Sequence, residues 1–177
     1  ARATFFVLGN RVDNFPNIIQ REYSQGHEIG SHSFSHPQIT TLTSDEIEYQ
    51  FAETEHRIQQ YVPYTTKLVR PPYGQITQSL KEVLQKTFVL WSIDTQDWKT
   101  RDKDAIVSEV LNNVKDGDII LMHDMYSTTA DACEELIPAL IERGYQLVTV
   151  SELLNAKEIT PVAGSVYSRV LSTGNAA

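Results

Sequence analysis

Short runs rich in β-branched and aromatic residues alternate with helical patterns along the whole chain, and this alternation constrains the fold more than any other feature. Strands that alternate strictly with helices are joined in parallel. The predicted strands cover residues 4–8, 28–30, 67–69, 88–93, 118–122 and 146–150, and the predicted helices cover 16–24, 44–62, 78–85, 103–114 and 130–143. The sequence therefore predicts an α/β fold with a parallel sheet, either open or closed into a barrel.

The helix predicted over residues 44–62 carries the clearest local signals. Thr43 and Glu46 have the spacing of a capping box, and Leu42 with Ile47 can form the hydrophobic staple. One apolar stripe runs along the helix and predicts its buried face; it consists of Ile47, Phe51, Ile58, Tyr61 and Val62.

Length and charge narrow the class of protein. A chain of 177 residues is long enough for one domain with a real core. A net charge of −8 argues against a nucleic-acid partner, because nucleic acids are usually bound by stripes of Lys and Arg. No apolar run reaches the length of a membrane-spanning helix. The segment from Ala156 onward is rich in small polar residues, and we expect it to dock through Val166, Tyr167, Val170 and Leu171 with its last few residues frayed.

Polar and aromatic residues follow four successive predicted strands. In parallel α/β proteins ligands bind at the carboxyl ends of the strands, so these residues are the candidate site. They are His32 and His36 after the second strand, Arg70 to Gly74 after the third, Asp94 to Trp98 after the fourth, and His123 with Asp124 after the fifth.

His32 and His36 stand four residues apart, directly before Pro37. If these residues form one helical turn, both imidazoles point the same way and could bind one metal ion. Two histidines do not complete a site, because a catalytic divalent ion usually takes a third protein ligand and an open position for water.

The other candidates each have two interpretations. Arg70 could pair with a surface carboxylate or orient a buried catalytic acid. His123 could be a core histidine, or an imidazole kept protonated by Asp97 or Asp124. Trp98 could belong to the core or offer a surface on which a sugar stacks.

Taken together, these segments resemble the polysaccharide deacetylases, carbohydrate esterase family 4. The resemblance runs from Ala3 to about Leu154, and within the family it is strongest to bacterial peptidoglycan N-acetylglucosamine deacetylases. The matching segments are Ala3-Thr4-Phe5-Phe6-Val7, Gly26-His27-Glu28-Ile29-Gly30 leading to His32 and His36-Pro37, Arg70-Pro71-Pro72-Tyr73-Gly74, Asp97-Trp98 and Leu121-Met122-His123-Asp124.

The resemblance implies a distorted (β/α) barrel, usually of seven strands, that hydrolyses acetyl groups on sugars with a divalent metal, commonly zinc or cobalt. It implies that His32 and His36 are metal ligands, that Arg70 orients the catalytic base, and that His123 is the general acid tuned by Asp97. It also implies substrate-binding roles for four residues: Pro72, Tyr73 through its backbone N–H, Trp98 and Leu121.

One part of the family pattern does not occur in this sequence. The family opens with a strand that carries two adjacent aspartates, the base and the third metal ligand, and residues 1–177 contain no Asp-Asp pair. The count of six predicted strands, one short of seven, agrees with a first strand that is absent from this chain. Because an open barrel with unpaired strand edges is hard to keep soluble, we expect an associated N-terminal fragment to supply that strand.

The sequence thus predicts a catalytic domain over residues 1–155 and a C-terminal tail over 156–177. The expected function is a metal-dependent polysaccharide N-deacetylase, acting outside a bacterium on peptidoglycan N-acetylglucosamine in the cell wall. The alternatives are an acetylxylan esterase, a chitin-oligosaccharide deacetylase, and a carbohydrate-binding fragment without catalytic activity.

Overall fold

A computed structural model describes residues 1–171 of the chain. The α-helices within these residues, in chain order, are α1 Gly9–Val12, α2 Pro16–Ser24, α3 Ser44–Gln59, α4 Gln78–Leu84, α5 Asp97–Thr100, α6 Lys103–Asn113, α7 Ser127–Glu142 and α8 Val150–Ala156. The strands are β1 Thr4–Val7, β2 Glu28–Ser31, β3 Leu68–Val69, β4 Thr87–Val89, β5 Ile93–Asp94, β6 Ile120–Leu121 and β7 Val166–Tyr167. Two 3₁₀ turns cover Ile39–Thr41 and Pro72–Gly74.

The first of two compact units contains residues 2–90 and 160–167. Its five strands form one parallel sheet in the order β1-β2-β3-β4-β7. Helix α3 contributes to two apolar clusters of this unit. One contains Ile39, Ile47, Phe51, Val69, Leu80 and Phe88, and the other contains Val12, Ile19, Ile29, Ile58 and Val62. Ile47, Phe51 and Ile58 of the predicted stripe are therefore confirmed on the buried face of α3, whereas Tyr61 and Val62 lie after its end and only Val62 is buried.

The start of α3 forms as its sequence predicts. The Thr43 hydroxyl accepts a hydrogen bond from the Glu46 N–H at 3.3 Å, and the Glu46 carboxylate accepts one from the Thr43 N–H at 2.8 Å. This capping box satisfies two backbone donors that the first helical turn leaves without partners. The helix ends at Gln59, three residues before the predicted end at Val62.

The second unit contains residues 91–159 together with the segment from Ser168. Strands β5 and β6 pair in parallel, with Ile93 opposite Ile120 and Asp94 opposite Leu121. Helices α6 and α7 pack on this pair around one apolar cluster; it contains Ile93, Ile106, Val107, Val110, Ala132, Leu136 and Leu140.

Three strand predictions need correction. The run predicted over 88–93 divides into β4 and β5, which belong to different sheets. Residues 146–150 form no strand, because Thr149 and Glu152 make a capping box and Val150 begins α8. The structure has seven strands within residues 1–171, so the predicted count of six is wrong and does not support an absent first strand.

The segment after α8 docks in part as expected. Val166 and Tyr167 form β7 alongside β4, and Val170 is buried, with its N–H donating to the Gly117 carbonyl at 2.8 Å. Leu171 is 61% exposed, so its predicted docking is wrong. The expected fraying of the last residues falls outside the described part of the chain.

Candidate active site

His32 and His36 lie in the loop that directly follows β2, and residues 32–36 are called the histidine loop below. The predicted helical turn is wrong. Ser33 and His36 adopt positive φ values of 74° and 61°, which turn the backbone without forming a helix. The two imidazoles nevertheless meet, with ring centroids 4.9 Å apart. The loop therefore brings the rings together by left-handed backbone geometry and not by helical spacing.

The His32 ring has a defined tautomer. Its Nδ1 lies 2.5 Å from the Arg70 carbonyl oxygen, and since a carbonyl can only accept, Nδ1 carries the proton. The lone pair on Nε2 is then the one that can bind a metal. A ligating histidine that donates its other ring N–H to a backbone carbonyl is the usual arrangement at metal sites.

These two imidazoles fit two of the three protein ligands that a catalytic zinc site usually has. Among residues 1–171, no group of three or more His, Cys, Asp or Glu side chains is placed to hold a metal ion. The described residues therefore provide a partial ligand set centred on His32 and His36.

Arg70 is buried at 8% exposure, so it is not the surface side chain considered from the sequence. Its guanidinium lies 4.4 Å from the centroid of the Phe6 ring and donates to the carbonyls of Val89 at 3.3 Å and Leu90 at 3.1 Å. Burial lowers the pKa of the guanidinium to about 10, and Arg70 remains charged at neutral pH. The Phe6 ring has room beside the guanidinium because its partner on β2 is Gly30. A Cβ atom at residue 30 would come 2.5 Å from the Phe6 ring.

The turn after Arg70 exposes one aromatic ring. Pro72 is buried, whereas Tyr73 has a positive φ of 57° and is 61% exposed. The Tyr73 ring lies 4.6 Å from the His36 ring, centroid to centroid. The structure thus groups His32, His36 and Tyr73 beside the buried Arg70.

Asp97 is the first residue of α5 in the second unit, and its side chain is fully buried. Its carboxylate accepts four hydrogen bonds. The donors are the His123 Nδ1–H at 2.7 Å, the His123 backbone N–H at 2.6 Å, the Trp98 N–H at 2.9 Å and the Thr129 hydroxyl at 2.9 Å. Asp97, and not the exposed Asp124, is therefore the partner of His123.

Two opposing effects set the pKa of the Asp97 carboxyl. Burial raises the pKa, but the hydrogen bonds from His123 and Thr129 outweigh it and the net pKa is lowered. An ionised Asp97 accepts a hydrogen bond from the Nδ1–H of His123, which leaves Nε2 as the ring nitrogen directed away from the carboxylate. The His123 side chain is 30% exposed, so it is not a fully enclosed core histidine.

Trp98 and Leu121 differ in exposure. Trp98 is 49% exposed and does not belong to the core, which leaves its indole accessible for stacking. Leu121 is the last residue of β6, is buried, and its carbonyl accepts from the Thr95 hydroxyl at 2.8 Å.

Sequence reasoning missed two residues that contact candidate residues or the loop that carries them, one in each unit. Thr129 donates to Asp97 from the first turn of α7, and Gln50 of α3 contacts the histidine loop. Neither residue gives a signal in the sequence, because a polar residue near a helix start or on a helix surface is normally solvated. The contacts are visible only when segments distant in sequence are placed together.

A parallel α/β fold with acid–base side chains at the ends of its strands is a common arrangement among α/β enzymes. Residues 1–89, half of the chain, match the sequence model of the polysaccharide deacetylase family. The chain belongs to the polysaccharide deacetylase family.

Two curated relatives are similar over most of this chain. The peptidoglycan-N-acetylmuramic acid deacetylase PdaC of Bacillus subtilis is 46% identical over 88% of the chain and 33% of the relative. The peptidoglycan-N-acetylglucosamine deacetylase PgdA of Listeria monocytogenes is 38% identical over 88% of the chain and 34% of the relative. The chain therefore spans about a third of the length of these relatives.

Two solved structures share the fold. That of PdaC matches with a TM-score of 0.87 at 45% identity, covering 89% of this chain and 78% of PdaC as solved. A family 4 acetyl xylan esterase from Clostridium thermocellum, solved with a cobalt ion, matches with a TM-score of 0.90 at 35% identity, covering 96% of this chain and 85% of the esterase.

Proposed function

We propose that this chain carries the catalytic domain of a metal-dependent deacetylase that removes acetyl groups from N-acetylated polysaccharide, with peptidoglycan N-acetylglucosamine as the substrate. The observation that carries the proposal is the imidazole pair of His32 and His36, with ring centroids 4.9 Å apart and the His32 tautomer set by the Arg70 carbonyl. The relatives PdaC and PgdA, both named as peptidoglycan deacetylases, support this substrate class.

His32 and His36 would hold the metal, zinc or cobalt; the cobalt ion in the related esterase supports this choice. When bound, a divalent metal supplies Lewis-acid polarisation of the acetyl carbonyl. Nε2 of His32 would be the ligating atom, because Nδ1 is committed to the Arg70 carbonyl.

His123 would be the general acid. The tetrahedral intermediate of amide hydrolysis loses its amine only when that nitrogen is protonated, and Nε2 of an imidazolium can deliver the proton. Asp97 holds the ring through Nδ1 and stabilises the charge on the protonated form. As the proton leaves Nε2, the neutral ring keeps its Nδ1–H bond to the Asp97 carboxylate.

The remaining predicted residues would position the base and the substrate. Arg70, a buried cation, would orient the catalytic base. The backbone N–H of Tyr73 would stabilise the developing oxyanion, and Pro72 would fix the turn that presents it. Trp98 and Leu121 would line the pocket for the acetyl group.

Several wider expectations stay predictions. These are the closure of the sheet into a distorted (β/α) barrel, the boundary between a catalytic domain over 1–155 and a tail over 156–177, and action outside the cell at the bacterial wall. The strand with two adjacent aspartates, and the N-terminal fragment that would supply it, also stay predictions. Intact mass spectrometry of the purified protein checks the fragment, since a co-purifying peptide with Asp-Asp is expected.

Within residues 1–171 no helix has the length and apolar character needed to cross a membrane.

Metal binding and deacetylation together test the proposal. Anomalous scattering at the zinc edge should locate one ion coordinated by His32 and His36, with metal–nitrogen distances of about 2.0–2.1 Å. Acetate release from N-acetylglucosamine oligomers and from peptidoglycan should require that metal. An ion located elsewhere, with the two rings uninvolved, would overturn the ligand assignment, and metal-loaded protein that releases no acetate would favour a carbohydrate-binding role.

The second candidate function is an acetylxylan esterase, favoured by the structural match to the Clostridium thermocellum enzyme. A chitin-oligosaccharide deacetylase is a third alternative with the same chemistry. Parallel assays on acetylated xylan, chitin oligomers and peptidoglycan separate these functions. The substrate that gives the highest kcat/KM identifies the function.

A further inference from the structure

The backbone of the histidine loop is held in an unusual conformation. Two of its residues, Ser33 and His36, lie in the left-handed region that non-glycine residues rarely adopt. Such a conformation is energetically unfavourable for a non-glycine residue and persists only when the surroundings determine it. The contacts that hold the loop therefore also set the approach of the two imidazoles.

One set of contacts holds the carbonyl groups. The N–H groups of Gly9 and Asn10, at the start of α1, donate to the carbonyls of Ser33 and Phe34, both at 3.1 Å. Gly9 is required for this approach, because a Cβ atom there would lie 2.7 Å from the Phe34 ring and 2.9 Å from the Thr54 Cα. Within the loop, the Ser33 hydroxyl accepts from the His36 N–H at 3.0 Å.

The amide groups between the two histidines are held by a single side chain of α3. The Gln50 Oε1 accepts from the Phe34 N–H at 3.0 Å and from the Ser35 N–H at 2.9 Å. The Gln50 Nε2 donates to the Ser35 hydroxyl at 3.0 Å. A side-chain amide suits this position because it accepts two bonds at its oxygen and donates from its nitrogen.

We propose that Gln50 is a positioning residue for the metal ligands: it holds the loop between His32 and His36 so that both imidazoles converge on one ion. The inference rests on the proposed metal site. It assigns a role at that site to Gln50, which lies outside the motif segments that resemble the family. Gln50 does not touch the ion. It acts through the backbone of Phe34 and Ser35, which lie between the two ligands in sequence.

The direct test compares Gln50→Leu with Gln50→Glu. Leucine is similar in size and removes every side-chain hydrogen bond to the loop, whereas a carboxylate keeps an acceptor for both amides. Gln59→Leu is the matched control, since Gln59 is an exposed glutamine near the end of the same helix. Gln50→Ala removes the same contacts without adding apolar surface and serves as the second variant if the leucine protein does not fold.

Two measurements are made on each purified protein. The first is amide hydrogen exchange at Phe34 and Ser35 without metal, which should be fast in Gln50→Leu and protected in the wild type, Gln50→Glu and Gln59→Leu. The second is the affinity for Zn²⁺ and Co²⁺ by calorimetry. Loss of an outer contact that orients a ligand typically weakens metal binding about 10- to 100-fold, and we expect that loss for Gln50→Leu with partial recovery in Gln50→Glu.

The outcomes separate the two proposals. A Gln50→Leu protein that binds metal as tightly as the wild type would overturn the role of Gln50 while leaving the metal site intact. A wild-type protein that binds neither ion would overturn the metal site, and the role of Gln50 with it. In that case protected amides would still show Gln50 to be a structural contact only.

Discussion

At the scale of single residues, hydrogen-bond partners decide what each ionisable side chain can do. His32 and His123 both commit Nδ1, the first to the Arg70 carbonyl and the second to the Asp97 carboxylate. The partners differ in charge. A neutral carbonyl suits a neutral imidazole that binds metal, and a carboxylate suits an imidazole that becomes protonated. This difference in partners fits the two different roles proposed for these histidines.

Replacing His123 by alanine should separate catalysis from stability. If the proton is delivered in the rate-limiting step, turnover should fall about 10²- to 10⁴-fold. Metal content should not change, because His123 is not a proposed ligand. Tm should fall only modestly, because the backbone N–H groups of residues 123 and 98 and the Thr129 hydroxyl still donate to the Asp97 carboxylate. Turnover, zinc content and Tm are measured on the same preparation, with the exposed His56→Ala as control. A stable His123→Ala protein with near-normal turnover would rule out the acid role.

Arg70→Met should lower the free energy of unfolding. The substitution keeps much of the packing on Phe6 but removes the donors to the Val89 and Leu90 carbonyls, and a buried acceptor left without its donor costs about 1–3 kcal/mol. Arg143→Met is the control, since Arg143 also donates to a carbonyl, that of Leu111, but is exposed. Urea unfolding of both variants checks the difference. Equal decreases in the free energy of unfolding for the two variants would show that the burial of Arg70 does not increase the stability of the protein.

At the scale of elements, a glycine sets how closely the segment after β7 approaches the turn before β6. Gly117 has a φ of +86°, and its carbonyl accepts from the Val170 N–H. Next to it, the buried carboxylate of Asp118 accepts from Arg169, from the Ser92 hydroxyl at 2.8 Å and from the Lys115 N–H at 2.7 Å. A backbone hydrogen bond at Val170 and an ion pair at Arg169 thus hold the same short stretch, residues 169–170.

Gly117→Ala should release that stretch. An alanine Cβ would lie 1.9 Å from the Val170 carbonyl oxygen, so the two backbones must separate. Gly144→Ala isolates the cost of the left-handed backbone, because Gly144 has a φ of +87° and no atom within 4 Å of the added Cβ. Both variants should lose about 1–2 kcal/mol from the backbone, and Gly117→Ala should lose more and show faster amide exchange at Val170. Equal losses of unfolding free energy in the two variants would contradict the close approach of the Gly117 and Val170 backbones.

At the scale of the whole molecule, buried carboxylates link stability to pH. For Asp97 and Asp118 burial raises the pKa, but hydrogen bonds outweigh it and the folded pKa lies below the ordinary value of 3.8. Carboxylates with depressed pKa values stabilise the folded state above the unfolded pKa, and this stabilisation disappears as the pH falls through the folded pKa.

The free energy of unfolding should therefore fall as the pH drops below about 4. Asp97→Asn and Asp118→Asn should each be less stable at pH 7 and lose less stability on acidification than the wild type. The exposed Asp124→Asn should follow the wild-type curve. Urea unfolding from pH 7 to pH 3 gives these curves. Parallel acid limbs for all four proteins would contradict the assignment.

The sequence by itself determined the features that depend on neighbouring residues. Periodicity and the capping box located α3, and the strand–helix alternation predicted a parallel α/β fold. The motif segments identified the family and nearly all the candidate residues. These signals are local: a cap, a turn or an amphipathic stripe is specified by residues within a few positions of one another.

Only the tertiary structure decided how distant segments meet. It replaced the predicted helical turn at His32 by a left-handed loop, divided the run at 88–93 between two sheets, and paired β7 with β4. It also selected Asp97 over Asp124 as the partner of His123 and placed Gln50 against the histidine loop. The physical reason is that hydrogen bonds between residues far apart in the chain, and the backbone strain they sustain, depend on packing, which a local pattern does not encode.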